Sequence, residues 1–217
     1  MDYPVYCEQP AFGHWFEPLN TMTNLFFVIA GILLLFQLKK KNQLDIKGIY
    51  FSILLMIVGW GSFAWHIYRN DTTLMIDSIP IAVFVISYLY FYLVVAAKNI
   101  LIRILLFLGF FAYTPLIIYL LHDFNNSDIL GNGGLEYIVA LSYFVLLQIY
   151  NLFNNKNIIK KSLVIIILFA ISVFFRQTDM IACEKLGFGT HFLWHFFNAT
   201  VLYLFVRLLY YKKAFNR

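Results

Sequence analysis

Residues 164–175 read VIIILFAISVFF, eleven apolar side chains and one serine with no alternation of polar and apolar. A strand of a membrane barrel faces lipid and lumen in turn along its length, so this stretch is not such a strand. Hydrocarbon offers the backbone no partner, and a helix closes its backbone hydrogen bonds within the segment. Six further stretches share this character, at 20–38, 48–66, 79–97, 100–121, 135–153 and 188–211; with 163–175, the shortest, they make seven. About 20 helical residues cross a hydrocarbon core of about 30 Å. The composition agrees. Of 217 residues, 62% are hydrophobic, 20% aromatic and only 12% charged, at a mean hydropathy of +0.77, whereas soluble domains carry about 25% charged residues. These figures exclude a water-soluble globular domain, a disordered chain, a collagen, a coiled coil and a small disulfide scaffold. The expected fold is an all-α integral membrane protein, a bundle of seven transmembrane helices.

Orientation follows from charge. One set of connections holds Lys39, Lys40, Lys41, Lys47, Lys98, Arg103, Lys156, Lys160, Lys161, Arg207, Lys212, Lys213 and Arg217, and the other only Arg69, Arg176 and Lys185. Basic residues stay on the cytoplasmic side, which puts the C-terminus in the cytoplasm and the N-terminus outside. Of the eleven acids only Asp45 lies on the cytoplasmic side, and this segregation requires an odd number of spans. The net charge of +5 is spread between apolar runs rather than clustered, so no nucleic-acid partner is expected. The first sixteen residues are acidic and aromatic, unlike a cleaved signal, so the first span is read as a true membrane helix. We see no internal repeat, linker or low-complexity tract, which leaves an extracytoplasmic tail (1–16) and one membrane domain (17–217).

Polar groups at membrane depth usually face the bundle interior and mark function. They gather here at the outer ends of the helices: Glu17, Asn20 and Asn24 in EPLNTMTN, Ser62 and His66 in GSFAWH, Asp77 in DSIP, Arg176 and Asp179 after the sixth stretch, and His191 and His195 in HFLWHFFN. In a seven-helix bundle with its N-terminus outside, the starts of odd helices and the ends of even ones share one membrane face. His191 and His195, four apart, point to one side of a helix, the spacing that offers two imidazoles to one metal; it also suits a packing feature. His66 adds a third imidazole at that depth, and three protein ligands with one open position is the catalytic form of a zinc site. Asp77 is either the N-cap of the third helix, with Pro80 in its first turn, or the acid–base partner of an attacking water. Ser62 is either a small residue beside Gly59 and Gly61 that lets helices approach, or a donor to a developing oxyanion. Glu17 before Pro18 also suits a plain helix start, Asn20 and Asn24 suit bonds between helices, and His122 and Asp123 read as interfacial. Cys7 and Cys183 both fall outside the cytoplasm, where thiols oxidise, and are a candidate disulfide tying the tail across the mouth of the bundle.

In these residues the sequence resembles the alkaline ceramidase family, within a superfamily of seven-helix membrane hydrolases that includes the adiponectin and progestin receptors. The resemblance spans essentially the whole chain and rests on Glu17-Pro-Leu-Asn20-Thr-Met-Thr-Asn24, Ser62-Phe-Ala-Trp-His66, Asp77 eleven residues later, and His191-Phe-Leu-Trp-His195. It implies zinc on His66, His191 and His195, Asp77 as the residue at the catalytic water, and Ser62 as the motif serine. The eukaryotic members also imply a calcium site, for which Glu8 and Glu17 are the candidates here. Val5 and Pro10 stand where further ligands are expected, which argues against calcium. The implied activity is zinc-dependent hydrolysis of the N-acyl amide of ceramide, or a similar membrane lipid, to a sphingoid base and a fatty acid, with no obligatory protein partner. A zinc-containing lipid receptor without turnover is the alternative, and would fill the fourth metal position with protein. A transporter fits less well, because transporters place their sites at the midplane between paired repeats. Short loops and richness in Lys, Asn and Ile favour a bacterial inner membrane over the endoplasmic reticulum or Golgi.

Overall fold

The computed structural model describes residues 6–8, 17–121, 134–154 and 158–211. His122 and Asp123, Val5 and Pro10, and most of the tail lie outside the described residues. Within them the chain forms helices and no strand. They are α1 (Pro18–Thr23), α2 (Leu25–Lys40), α3 (Ile46–Tyr68), α4 (Asp71–Ala96), α5 (Ile100–Leu120), α6 (Leu135–Asn154), α7 (Ile159–Gln177), α8 (Asp179–Leu186) and α9 (His191–Leu209). Taking α1 and α2 as the single stretch Pro18–Lys40, six helices are long and apolar enough to cross a membrane, and their apolar surface makes this an integral membrane protein. The stretch VIIILFAISVFF lies in α7, whose 19 residues also carry Lys160, Lys161 and Arg176 near the ends; α7 is not among those six.

Local chemistry sets the helix starts. Asp45 accepts from the Gly48 N–H at 2.8 Å and opens α3. Asn70 opens α4 with a capping box, its side chain accepting from Thr73 N–H at 3.0 Å while the Thr73 hydroxyl takes the Asn70 N–H at 3.1 Å. This corrects the reading of Asp77 as an N-cap: α4 begins at Asp71, and both Asp77 and Pro80 lie inside it. Hydropathy alone put the boundary at residue 79, because the polar first turns of α4 are stabilised by capping rather than by lipid. The short helix α8, ended by Gly187 at φ 77°, falls where only a connection was expected.

The core lies between α2, α3, α4 and α9, where Phe27, Leu34, Phe51, Leu55, Tyr92 and Val206 are fully enclosed. By contrast α5 buries no residue, and Leu105 and Leu108 among others face outward. Where the end of α3 meets the start of α4 the two helices come very close. A side-chain carbon on Gly61 would run into the Ile76 carbonyl and lie 3.3 Å from the Asp77 Cα. Pro80 has no N–H to offer that same carbonyl four residues back. Gly61 and Pro80 together therefore bring Ser62 against Asp77.

Candidate active site

Each candidate histidine sits near one end of its helix: His66 in the last turn of α3, His191 at the first position of α9, and His195 one turn further on. All three are buried, and one ligand nitrogen from each lies within 4.8 Å of the others. Their hydrogen bonds decide which nitrogen is free. His66 Nδ1 meets Glu17 Oε2 at 2.7 Å; a carboxylate only accepts, so Nδ1 carries the proton and Nε2 the lone pair. The Thr23 hydroxyl gives its one proton to the Leu19 carbonyl at 2.6 Å. At 2.8 Å from His195 Nδ1 it therefore accepts, which again leaves Nε2 with the lone pair. His195 Nε2 and both nitrogens of His191 are buried without a protein partner. Three buried imidazoles, two of them oriented from behind by an oxygen, fit a borderline-soft divalent ion such as zinc.

Glu17 is the hub behind His66. It also accepts from Asn20 Nδ2 at 2.9 Å and from Arg69 Nη1, and its N–H reaches the His66 carbonyl. Burial raises the Glu17 carboxyl, but the bonds and charges of His66, Asn20 and Arg69 outweigh it and hold the group below the ordinary glutamate range. Glu8 spends its two oxygens on the N–H groups of Leu19 and Asn20 at 3.1 and 2.8 Å, capping α1. Both calcium candidates are thus engaged with donors of the chain itself. Asn24 bonds back to the Asn20 carbonyl within its own turn at 2.8 Å.

The Asp179 carboxylate accepts from backbone rather than from an imidazole ring: Thr190 and His191 N–H at 2.7 and 2.8 Å, and Cys7 N–H at 2.7 Å. A disulfide joins Cys7 to Cys183 with 5.4 Å between Cα atoms. The adjacent Tyr6, which sequence reasoning passed over, is thereby laid on the site. Its ring stacks on His191 at 3.9 Å, and Trp194 stacks on the same imidazole at 5.0 Å. Arg176 donates to the Tyr6 hydroxyl at 3.2 Å and packs against the rings of Tyr6, Tyr137 and Trp194. Burial raises the Tyr6 phenol, with Arg176 acting in the opposite direction.

A cavity of about 550 Å³ opens from this layer into the bundle. At its polar end stand Ser62, His66, Asp77, Arg176 and His191, and its deep wall is apolar, with Phe84, Leu147, Phe169 and Phe205. Ser62 and Asp77 face the same end of the cavity, and Asp77 Oδ1 is buried without a partner. Thr23, Arg69 and Tyr6 are the site residues the sequence did not single out. Only Tyr6 carried a signal, its place next to a cysteine expected at the mouth.

Fold and site together define a polytopic helical membrane protein with a buried, metal-competent histidine cluster at the polar end of a lipid-sized cavity. The ceramidase family model matches residues 6–217, nearly the whole chain, and the protein belongs to that family. Membership implies a hydrolase acting on the amide bond of a lipid, ceramide. No curated protein matches the chain.

Proposed function

We propose that the protein is a seven-helix, zinc-dependent amidohydrolase that cleaves the N-acyl bond of ceramide or a ceramide-like lipid. The observation that carries this reading is the cavity: unpartnered imidazole nitrogens and an unpartnered carboxylate oxygen stand at the mouth of an otherwise apolar chamber. His66, His191 and His195 would hold zinc, and no fourth histidine, cysteine or acid joins their cluster among the described residues. That favours an open fourth position over a closed structural site, and so an enzyme over a receptor. Zinc held there would supply a Lewis acid for the amide carbonyl and lower the pKa of a water toward about 7.

The chain's own groups supply the rest. Asp77 Oδ1 accepts the proton of the attacking water and returns it to the leaving nitrogen, so that amide and water become carboxylic acid and amine. Ser62, at the same end of the cavity, supports negative charge growing on the carbonyl oxygen. The acyl chain lies along Phe84, Phe169 and Phe205. We take α7 as the seventh span, since thirteen of sixteen basic residues then fall on the cytoplasmic side with the C-terminus. The tail (1–16) is then extracytoplasmic, on a bacterial inner membrane.

Zinc analysis of the purified protein, run beside a fluorescent-ceramide hydrolysis assay, tests the reading. About one zinc per chain and release of fatty acid are expected. Full zinc retention in a His66, His191, His195 triple-alanine variant would falsify the metal site.

A further inference from the structure

Arg69 is one of two non-glycine residues with positive φ among those described, at φ 44° and ψ 60°. A left-handed residue with a long side chain persists only where its surroundings fix it. Here the turn ends α3 and folds the side chain back over Trp65, with the guanidinium 4.9 Å from that ring and 5.5 Å from Tyr6. Its Nη1 then meets Glu17 Oε1. The other oxygen, Oε2, takes Asn20 Nδ2 at 2.9 Å and His66 Nδ1 at 2.7 Å.

We infer that Arg69 is a positioning residue for the candidate metal centre: it pins one oxygen of Glu17 so that the other aims at His66 and turns Nε2 toward His191 and His195. The inference rests on the zinc reading above. A planar guanidinium held by two rings fixes the carboxylate plane in a way that a flexible ammonium does not. Groups that orient a metal-bound histidine from behind typically change metal affinity by about 10–100-fold. Arg69 acts one bond further out, through Glu17, so its removal belongs at the lower end of that range.

The test is zinc affinity of the purified full chain, measured by competition with a chromophoric chelator, in a double-mutant cycle of Arg69→Met and Glu17→Gln. Arg69→Met is expected to weaken zinc about tenfold. In the Glu17→Gln background the same change should add little, because its route to His66 is already lost. A residue that merely stabilised the turn would act equally in both backgrounds, and that additivity overturns the inference. Parental affinity in Arg69→Met overturns it as well. Where Arg69→Met does not fold, Arg69→Lys takes its place, with a weakening of about threefold expected and parental affinity again decisive against. A parental protein without zinc overturns this inference and the zinc reading together, whereas zinc in the parent with unchanged affinity in the variants overturns this inference alone.

Discussion

Asp77 and Thr23 do different work with one oxygen each. The Asp77 oxygen faces no donor and is free to take a proton, whereas the Thr23 oxygen fixes His195 from behind. Asp77→Asn keeps the shape and removes the proposed base. It should retain zinc and lose ceramide turnover by about 10²–10⁴-fold, the usual worth of general acid–base catalysis, and Ser62→Ala should lose less. Steady-state rates and zinc content of the same preparations check both. Thr23→Val keeps the volume but gives up the acceptor, and should weaken zinc by about tenfold with near-parental turnover once zinc is saturating. The sequence disclosed the three histidines because they stand at helical spacing and at one depth, and Asp77 and Ser62 because polar groups are rare in such runs. It could not disclose Thr23 or Arg69. A threonine near a helix start usually bonds within its own turn, and an arginine at an outer helix end usually meets water. Both partnerships run between helices and exist only once α1, α3 and α9 are packed.

At the scale of elements, the contact of α3 with α4 sets the distance between Ser62 and Asp77. Gly61→Ala should force α3 away from the Ile76 carbonyl, at a cost of about 1–3 kcal/mol for overpacking, and carry Asp77 out of reach of Ser62. Lower thermal stability together with reduced turnover is expected; a variant with both parental properties would show that the helices yield without cost. The apolar runs located the long helices because lipid imposes one rule along each of them. Their ends were less legible. The start of α4 depends on a reciprocal bond between Asn70 and Thr73, and the end of α8 on Gly187 in the left-handed region, neither of which changes hydropathy enough to be seen.

For the molecule as a whole, the disulfide closes the chain on itself across a sequence separation of 176 residues. A loop that long is worth about 4–5 kcal/mol in the chain-entropy account, so Cys183→Ser should melt well below the parent, and reductant should lower the parent's melting temperature but not the variant's. Because Cys7 adjoins Tyr6, and Tyr6 covers His191, the same variant should also bind zinc less tightly. The charge asymmetry gives a topological prediction: a reporter fused after Arg217 should be active only in the cytoplasm. The sequence placed both cysteines on one side of the membrane by charge, but not that their bond would deliver an aromatic ring onto a histidine, since that depends on Asp179 holding the backbones of Cys7 and His191 together.

That closure also bears on biosynthesis. A ribosome adding about 5–20 residues per second makes Cys7 roughly 9–35 s before Cys183, and His191 and His195 emerge later still. From the synthesis of Asp77 until that of His191 the nascent chain holds His66 and Asp77 but not the remaining imidazoles, and Tyr6, though already made, has no Cys7–Cys183 bond to lay it on the site. On the function proposed above, a chain threaded into the bilayer only as far as α6 lacks two of the three zinc ligands, and turnover waits for α9.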